Sequence, residues 1–92
     1  MKHLSYKELY ERSIGVELIR METAVEIYFV IENLTDEQYE EICEFAYNVY
    51  LKSEDVTLNQ IANTIDFMLN DGKTVEEITD MNYWDFLSEA IL

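Results

Sequence analysis

The sequence predicts an all-α protein: one small helical bundle of about five to six helices, in a single domain over residues 1–92. Three observations carry this expectation. Helix-start signals recur along the chain, each followed by apolar residues at helical spacing. Two glycines and no proline are too few for a strand-and-turn protein, whose tight turns draw on both. Apolar residues make up 49% of the chain and twelve are aromatic, enough for one core at the lower end of the size range that folds alone.

The elements follow in order. Ser5-x-x-Glu8, Thr35-x-x-Gln38, Thr57-x-x-Gln60 and Thr74-x-x-Glu77 match the capping box, in which the cap and the third helical residue satisfy each other's backbone amides. Asn82-x-x-Asp85 is a weaker relative. Helices are therefore expected at 5–13, 16–32, 36–51, 58–70, 75–80 and 83–91. Leu34 is placed to staple onto Tyr39, and Gly72, after Asn70-Asp71, suits the C′ position of the 58–70 helix.

Helix 36–51 is the most legible. Tyr39, Ile42, Cys43, Ala46, Val49 and Tyr50 share one face, and Glu37, Glu40, Glu41 and Glu44 share the opposite one. Helix 58–70 carries Leu58, Ile61, Ala62, Ile65, Met68 and Leu69 as its core stripe, with Asn59, Asn63, Asp66 and Asn70 outside. Segment 16–32 is harder to read. Glu17, Arg20, Glu22 and Glu26 scatter around the wheel, while Val25, Ile27, Phe29 and Ile31 alternate as in a strand. A central helix buried on most sides is the preferred reading. The alternative is an α+β fold with a β-hairpin at 16–31, whose turn would rest on Glu22-Thr23 without the Gly, Asn or Asp that tight hairpins use.

Charge is the outlying property. Twenty acids against six bases give a formal charge of −14, which opposes compaction and repels nucleic acid, anionic membranes and anionic substrates. Residues 1–20 are nearly balanced: Lys2, Lys7, Arg12 and Arg20 face Glu8, Glu11 and Glu17. Beyond Met21 only Lys52 and Lys73 are basic. Glu22/Glu26, Glu37/Glu41 and Glu40/Glu44 are like-charge i, i+4 pairs, each costing a few tenths of a kcal/mol on a helix surface.

Catalytic chemistry finds little support. His3 is the single histidine, in a terminal stretch expected to fray. Cys43, the single cysteine, falls on an apolar stripe, where a cysteine behaves as a small core residue; it forms no internal disulfide and fits a reducing compartment. A Glu-x-x-His di-iron motif, an EF-hand loop around Asn70-Asp71-Gly72 and a glycine-rich phosphate loop are all missing. Helices 58–70 and 75–80 resemble a helix-turn-helix, but their connection is long and the second carries Glu76, Glu77 and Asp80 where a DNA reader needs bases. No catalytic residue, metal ligand or cofactor is expected. Nor is a signal peptide or a membrane span, since the longest apolar run is Ile27–Ile31.

The stripe Glu37, Glu40, Glu41 and Glu44, with Tyr47 and Asn48 beside it, is the candidate partner-binding surface. Carboxylates at these spacings stand roughly 5–6 Å apart, comparable to phosphates along a nucleic-acid strand, and can enter Lys/Arg pockets built for a phosphate backbone. Tyr47 is expected to serve as an aromatic anchor next to Glu40 and Glu44. In size, charge and want of catalytic motifs the chain resembles the small acidic inhibitors that phages encode against host defence, the anti-CRISPR and anti-restriction DNA mimics. That resemblance is one of type and transfers no residue roles. It implies binding to a nuclease or its recognition complex and exclusion of the nucleic acid. Charge, composition and the want of catalytic motifs separately lead us to expect a non-enzymatic cytoplasmic protein, monomeric or homodimeric, that binds the basic surface of a nucleic-acid-binding protein and touches neither nucleic acid nor membrane itself. Two other expectations stand beside it: an immunity or antitoxin protein neutralising a basic toxin, and an assembly module built on the aromatic C-terminal run Met81–Leu87, whose Trp84 and Phe86 or Leu87 are otherwise expected to close the core as a lid.

Overall fold

Three capping boxes set where the middle of the chain turns helical. Thr35 accepts a hydrogen bond from the Gln38 backbone amide at 3.1 Å while the Gln38 side chain accepts one from the Thr35 amide at 2.9 Å. Thr57 and Gln60, and Thr74 and Glu77, repeat the reciprocal pair. In the computed structural model, which describes residues 16–53 and 55–91, the helices are α1 (Val16–Val30), α2 (Asp36–Lys52), α3 (Leu58–Asn70), α4 (Val75–Thr79) and α5 (Tyr83–Ile91). The helix expected at 5–13 lies outside the described residues.

The ends have local causes as well. After α1, Asn33 takes a left-handed conformation (φ 67°), which asparagine tolerates better than most residues, and the chain turns into the Thr35 cap. Gly72 (φ 102°) ends α3: its amide bonds the Leu69 carbonyl and the Lys73 amide bonds that of Met68, a Schellman closure that satisfies two otherwise orphaned carbonyls. At α5, the Asn82 side chain accepts from the Asp85 amide at 2.9 Å.

Helices α1, α2 and α3 pack against one another, α4 lies across α2 and α3, and α5 closes on α3. The core they share is formed by Ile27, Ile31, Ile42, Ala46, Val49, Val56, Ile61, Ala62, Ile65, Met68, Val75, Ile78, Phe86 and Leu87. The stripes expected on 36–51 and 58–70 turn inward, with Tyr39, Cys43, Tyr50 and Leu69 packed at the core's edge.

Two expectations are corrected. Segment 16–31 is the preferred helix and not the alternative hairpin, but that helix is not buried on most sides. Its inner face is Thr23, Ile27 and, one residue past the helix, Ile31. Met21, Val25, Tyr28 and Phe29 face solvent, Phe29 at 80% exposure and Val25 at 61%. The strand-like alternation was two helix faces: 27 and 31 repeat at i, i+4 on one side, 25 and 29 on the other. The C-terminal lid is Phe86 with Leu87, the Phe86 ring meeting Phe45 edge-on at 5.1 Å. Trp84 is 74% exposed and takes no part in it.

Stability should divide accordingly. Ile65→Ala, deep in the core, is expected to lower the unfolding free energy by about 2–5 kcal/mol, and Thr57→Ala, which removes a cap, by about 1 kcal/mol. Chemical denaturation of the two variants checks both the sizes and their order.

Candidate functional site

The face of α2 turned away from the core carries Glu37, Glu40, Glu41 and Glu44, all exposed. Spacings of three, four and seven residues put them on one side of the helix. With Phe45 and Asn48 of α2 and Thr79 of α4 they line a shallow open groove. Phe45, packed on the core, gives this groove its apolar part. Thr79 also borders a patch formed by Glu76, Glu77 and Asp80, so the acidic surface runs from α2 onto α4. The Glu77 carboxylate is engaged in the Thr74 cap, whose hydrogen bonds hold its pKa below the usual range.

One base reaches this face from another helix. Arg20 of α1 donates from Nη1 to Glu44 Oε2 at 2.7 Å and from Nη2 to Oε1 at 3.4 Å. Its guanidinium also lies 4.1 Å from the centre of the Tyr47 ring, a cation–π arrangement. The hydrogen bond from Arg20 lowers the Glu44 pKa against a smaller opposing effect of burial. Among the described residues this is the one ion pair. Among the described residues Glu37, Glu40 and Glu41 have no such neutralisation.

Tyr47 is therefore not the outward anchor expected of it. It is 6% exposed, its ring is covered by Arg20, and it lines a side groove with Arg20, Glu40, Cys43 and Glu44. Asn48 and the four glutamates do share the main groove. Phe45 was within reach of the spacing argument, since Glu37, Glu41 and Phe45 form one i, i+4 row. Arg20 and Thr79 had no such signal, because their contacts depend on how α1 and α4 cross α2.

The arrangement suits non-covalent capture of cationic groups. Cys43 is half-buried, and that burial pushes its thiol pKa up, away from thiolate reactivity. The described residues contain no cluster of three or more metal-ligating side chains and no helix long and apolar enough to cross a membrane. Compared with protein-family models, curated proteins and solved structures, the chain matches none.

The Arg20–Glu44 pair has a pH signature. Glu44 has a lowered folded-state pKa, so its contribution is fully present above the ordinary glutamate pKa and is lost as pH falls through the lowered value. A double-mutant cycle with Arg20→Gln and Glu44→Gln should give a favourable coupling at pH 7 that vanishes in acid. A coupling that stays unchanged from neutral pH into strong acid contradicts this assignment.

Proposed function

We propose that the chain is a non-catalytic acidic binding protein that occupies the basic nucleic-acid-binding surface of a nuclease or defence complex, in the manner of anti-CRISPR and anti-restriction inhibitors. The observation that carries this reading is the groove with Glu37, Glu40 and Glu41 on one exposed helix face, unneutralised within the described residues. Like charges at i, i+4 work against the helix that bears them, and a chain selected for stability alone gains from mixed signs. A binding surface has a use for the unbalanced field: it steers a cationic partner into contact and releases the counterions held on both sides.

The groove's chemistry supports that role. Carboxylates at i, i+3 and i+4 on a helix stand roughly 5–6 Å apart, comparable to backbone phosphates, and Asn48 and Thr79 add polar groups at its margin. Phe45 supplies a small apolar contact where a lysine or arginine stem can lie. The extension onto Glu76 and Asp80 lengthens the surface beyond a single helix.

Affinity capture from cells with the full chain, at about 0.1 M and about 1 M salt, tests the proposal, because the screening length falls from ~10 Å to ~3 Å over that range. The expected result is a nucleic-acid-binding protein retained at low salt, released at high salt and displaced by duplex DNA. Glu40→Lys with Glu41→Lys, beyond the first turn of α2, should weaken its binding by on the order of tenfold without lowering Tm. Capture indifferent to salt and to DNA, or a partner with no nucleic-acid function, overturns the reading.

A further inference from the structure

Among the described residues, the outward side of α1 is largely left open to solvent, Tyr28 alone stacking on α2. Leu18, Met21, Val25, Tyr28 and Phe29 occupy one arc of that helix, opposite Thr23 and Ile27, because positions 18, 21, 25, 28 and 29 recur with helical period. Met21, Val25 and Phe29 form a single i, i+4 ridge of the kind that helices interleave when they pack. All three are exposed, and so is more than half of Tyr28. Scattered exposed apolar residues are ordinary on a protein surface, but a contiguous row rimmed by polar groups marks an interaction site.

Acids border the row on both sides. Glu22 and Glu26 flank it along α1, Glu26 accepting a hydrogen bond from Asn59 at 2.8 Å. On the other side Tyr28 stacks on Tyr39 of α2 with ring centres 4.2 Å apart, which carries the surface across to Asp36 and Glu40. The Tyr28 hydroxyl is held protonated to higher pH first by desolvation and then by nearby negative groups, Asp36 and Glu40 among them. The face is thus an apolar ridge between two acidic margins.

We propose that this face of α1 is a docking site for an amphipathic helix of a partner protein, one whose apolar stripe is flanked by lysine or arginine. Such a helix lays its stripe along Met21, Val25 and Phe29 and its cations against Glu22 on one side and Asp36 and Glu40 on the other. A second copy of this chain fits worse, because a two-fold contact places each acidic margin near its own image. A phosphate backbone or an anionic lipid surface meets the same repulsion. The proposal goes beyond the nucleic-acid-mimic reading and does not depend on it: the apolar ridge belongs to α1, and of the groove residues of α2 it uses Glu40 alone.

The test uses the full chain and an 18-residue peptide, about 27 Å long as a helix, with leucines in a helical stripe and lysines on both flanks. A shuffled peptide of identical composition serves as the control, and binding is read by fluorescence anisotropy. The striped peptide should bind at least about tenfold more tightly than the shuffled one, a preference expected of packed apolar anchors. Phe29→Ser and Val25→Ser should each abolish that preference with Tm unchanged, while Glu37→Lys, in the α2 groove, should leave it intact. Equal binding of the two peptides overturns the proposal, because charge alone then accounts for it. So does a dimer in sedimentation that Phe29→Ser disperses. A fall in Tm in both serine variants overturns it as well, since the face is then covered by the chain itself.

Discussion

Everything in this molecule depends on how the inner face of α1 seats against α2 and α3. Ile27 and Ile31 close over the same core as Ile42, Ile61 and Ile65, all of them at 0–1% exposure. Buried Thr23 donates its hydroxyl to the Ile19 carbonyl within its own helix at 2.7 Å, and among the described residues burial strands no side-chain polar atom. Burying an isoleucine is worth roughly 1.5–3 kcal/mol in transfer free energy, against the backbone and side-chain entropy of ordering and here also against a net charge of −14. Helices α4 and α5 are too short to be stable alone and depend on the platform that this packing creates.

The same seam aligns the polar contacts between α1 and α2. Where Ile27 and Ile31 fix the helix axis, Arg20 at one end comes to rest on Tyr47 and Glu44, and Tyr28 toward the other meets Tyr39. The Tyr39 hydroxyl donates to the Ile31 carbonyl at 2.7 Å, capping the chain as it leaves α1. Repulsion among the carboxylates is handled mostly by placement. Asp36 and Glu37 sit in the first turn of α2, and Glu76 and Glu77 in that of α4, where the helix dipole favours negative charge. The groove carboxylates beyond the first turn, Glu40 and Glu41, receive no such help, and among the described residues Glu44 is paired with Arg20.

Local chemistry was legible in the sequence, and geometry between helices was not. The caps at Thr35, Thr57 and Thr74 and the Gly72 closure involve residues within five positions of each other, so spacing alone reveals them. Helix 36–51 could be read because its two faces differ in kind, glutamates against aliphatics. In α1 both faces carry large apolar residues, Ile27 within, Val25 and Phe29 without, and periodicity cannot tell a face that packs from a face that waits for something. Tyr47 was misjudged for a related reason: its neighbour is Arg20, 27 positions back in the chain, and a helical wheel shows only neighbours on the same helix. Trp84 and Phe86 stand two residues apart on one short helix, and the crossing of α5 over α3 decided which of them turned inward.

The acidic groove and the apolar ridge contribute differently to any encounter. Carboxylates act over a distance of about one screening length and govern how often a cationic partner arrives. They hold it weakly, because exposed ion pairs bring little net stabilisation in water. An apolar ridge has no reach, but once covered it sets how slowly the partner leaves, and most differences in affinity among related complexes lie in that step. The Tyr28–Tyr39 stack joins the two kinds of surface across the α1–α2 seam. As proposed, one fold presents attraction on the α2 groove and retention on the α1 ridge. Moving α1 relative to α2 would separate them, which gives the packing of Ile27 and Ile31 a consequence for recognition as well as for stability.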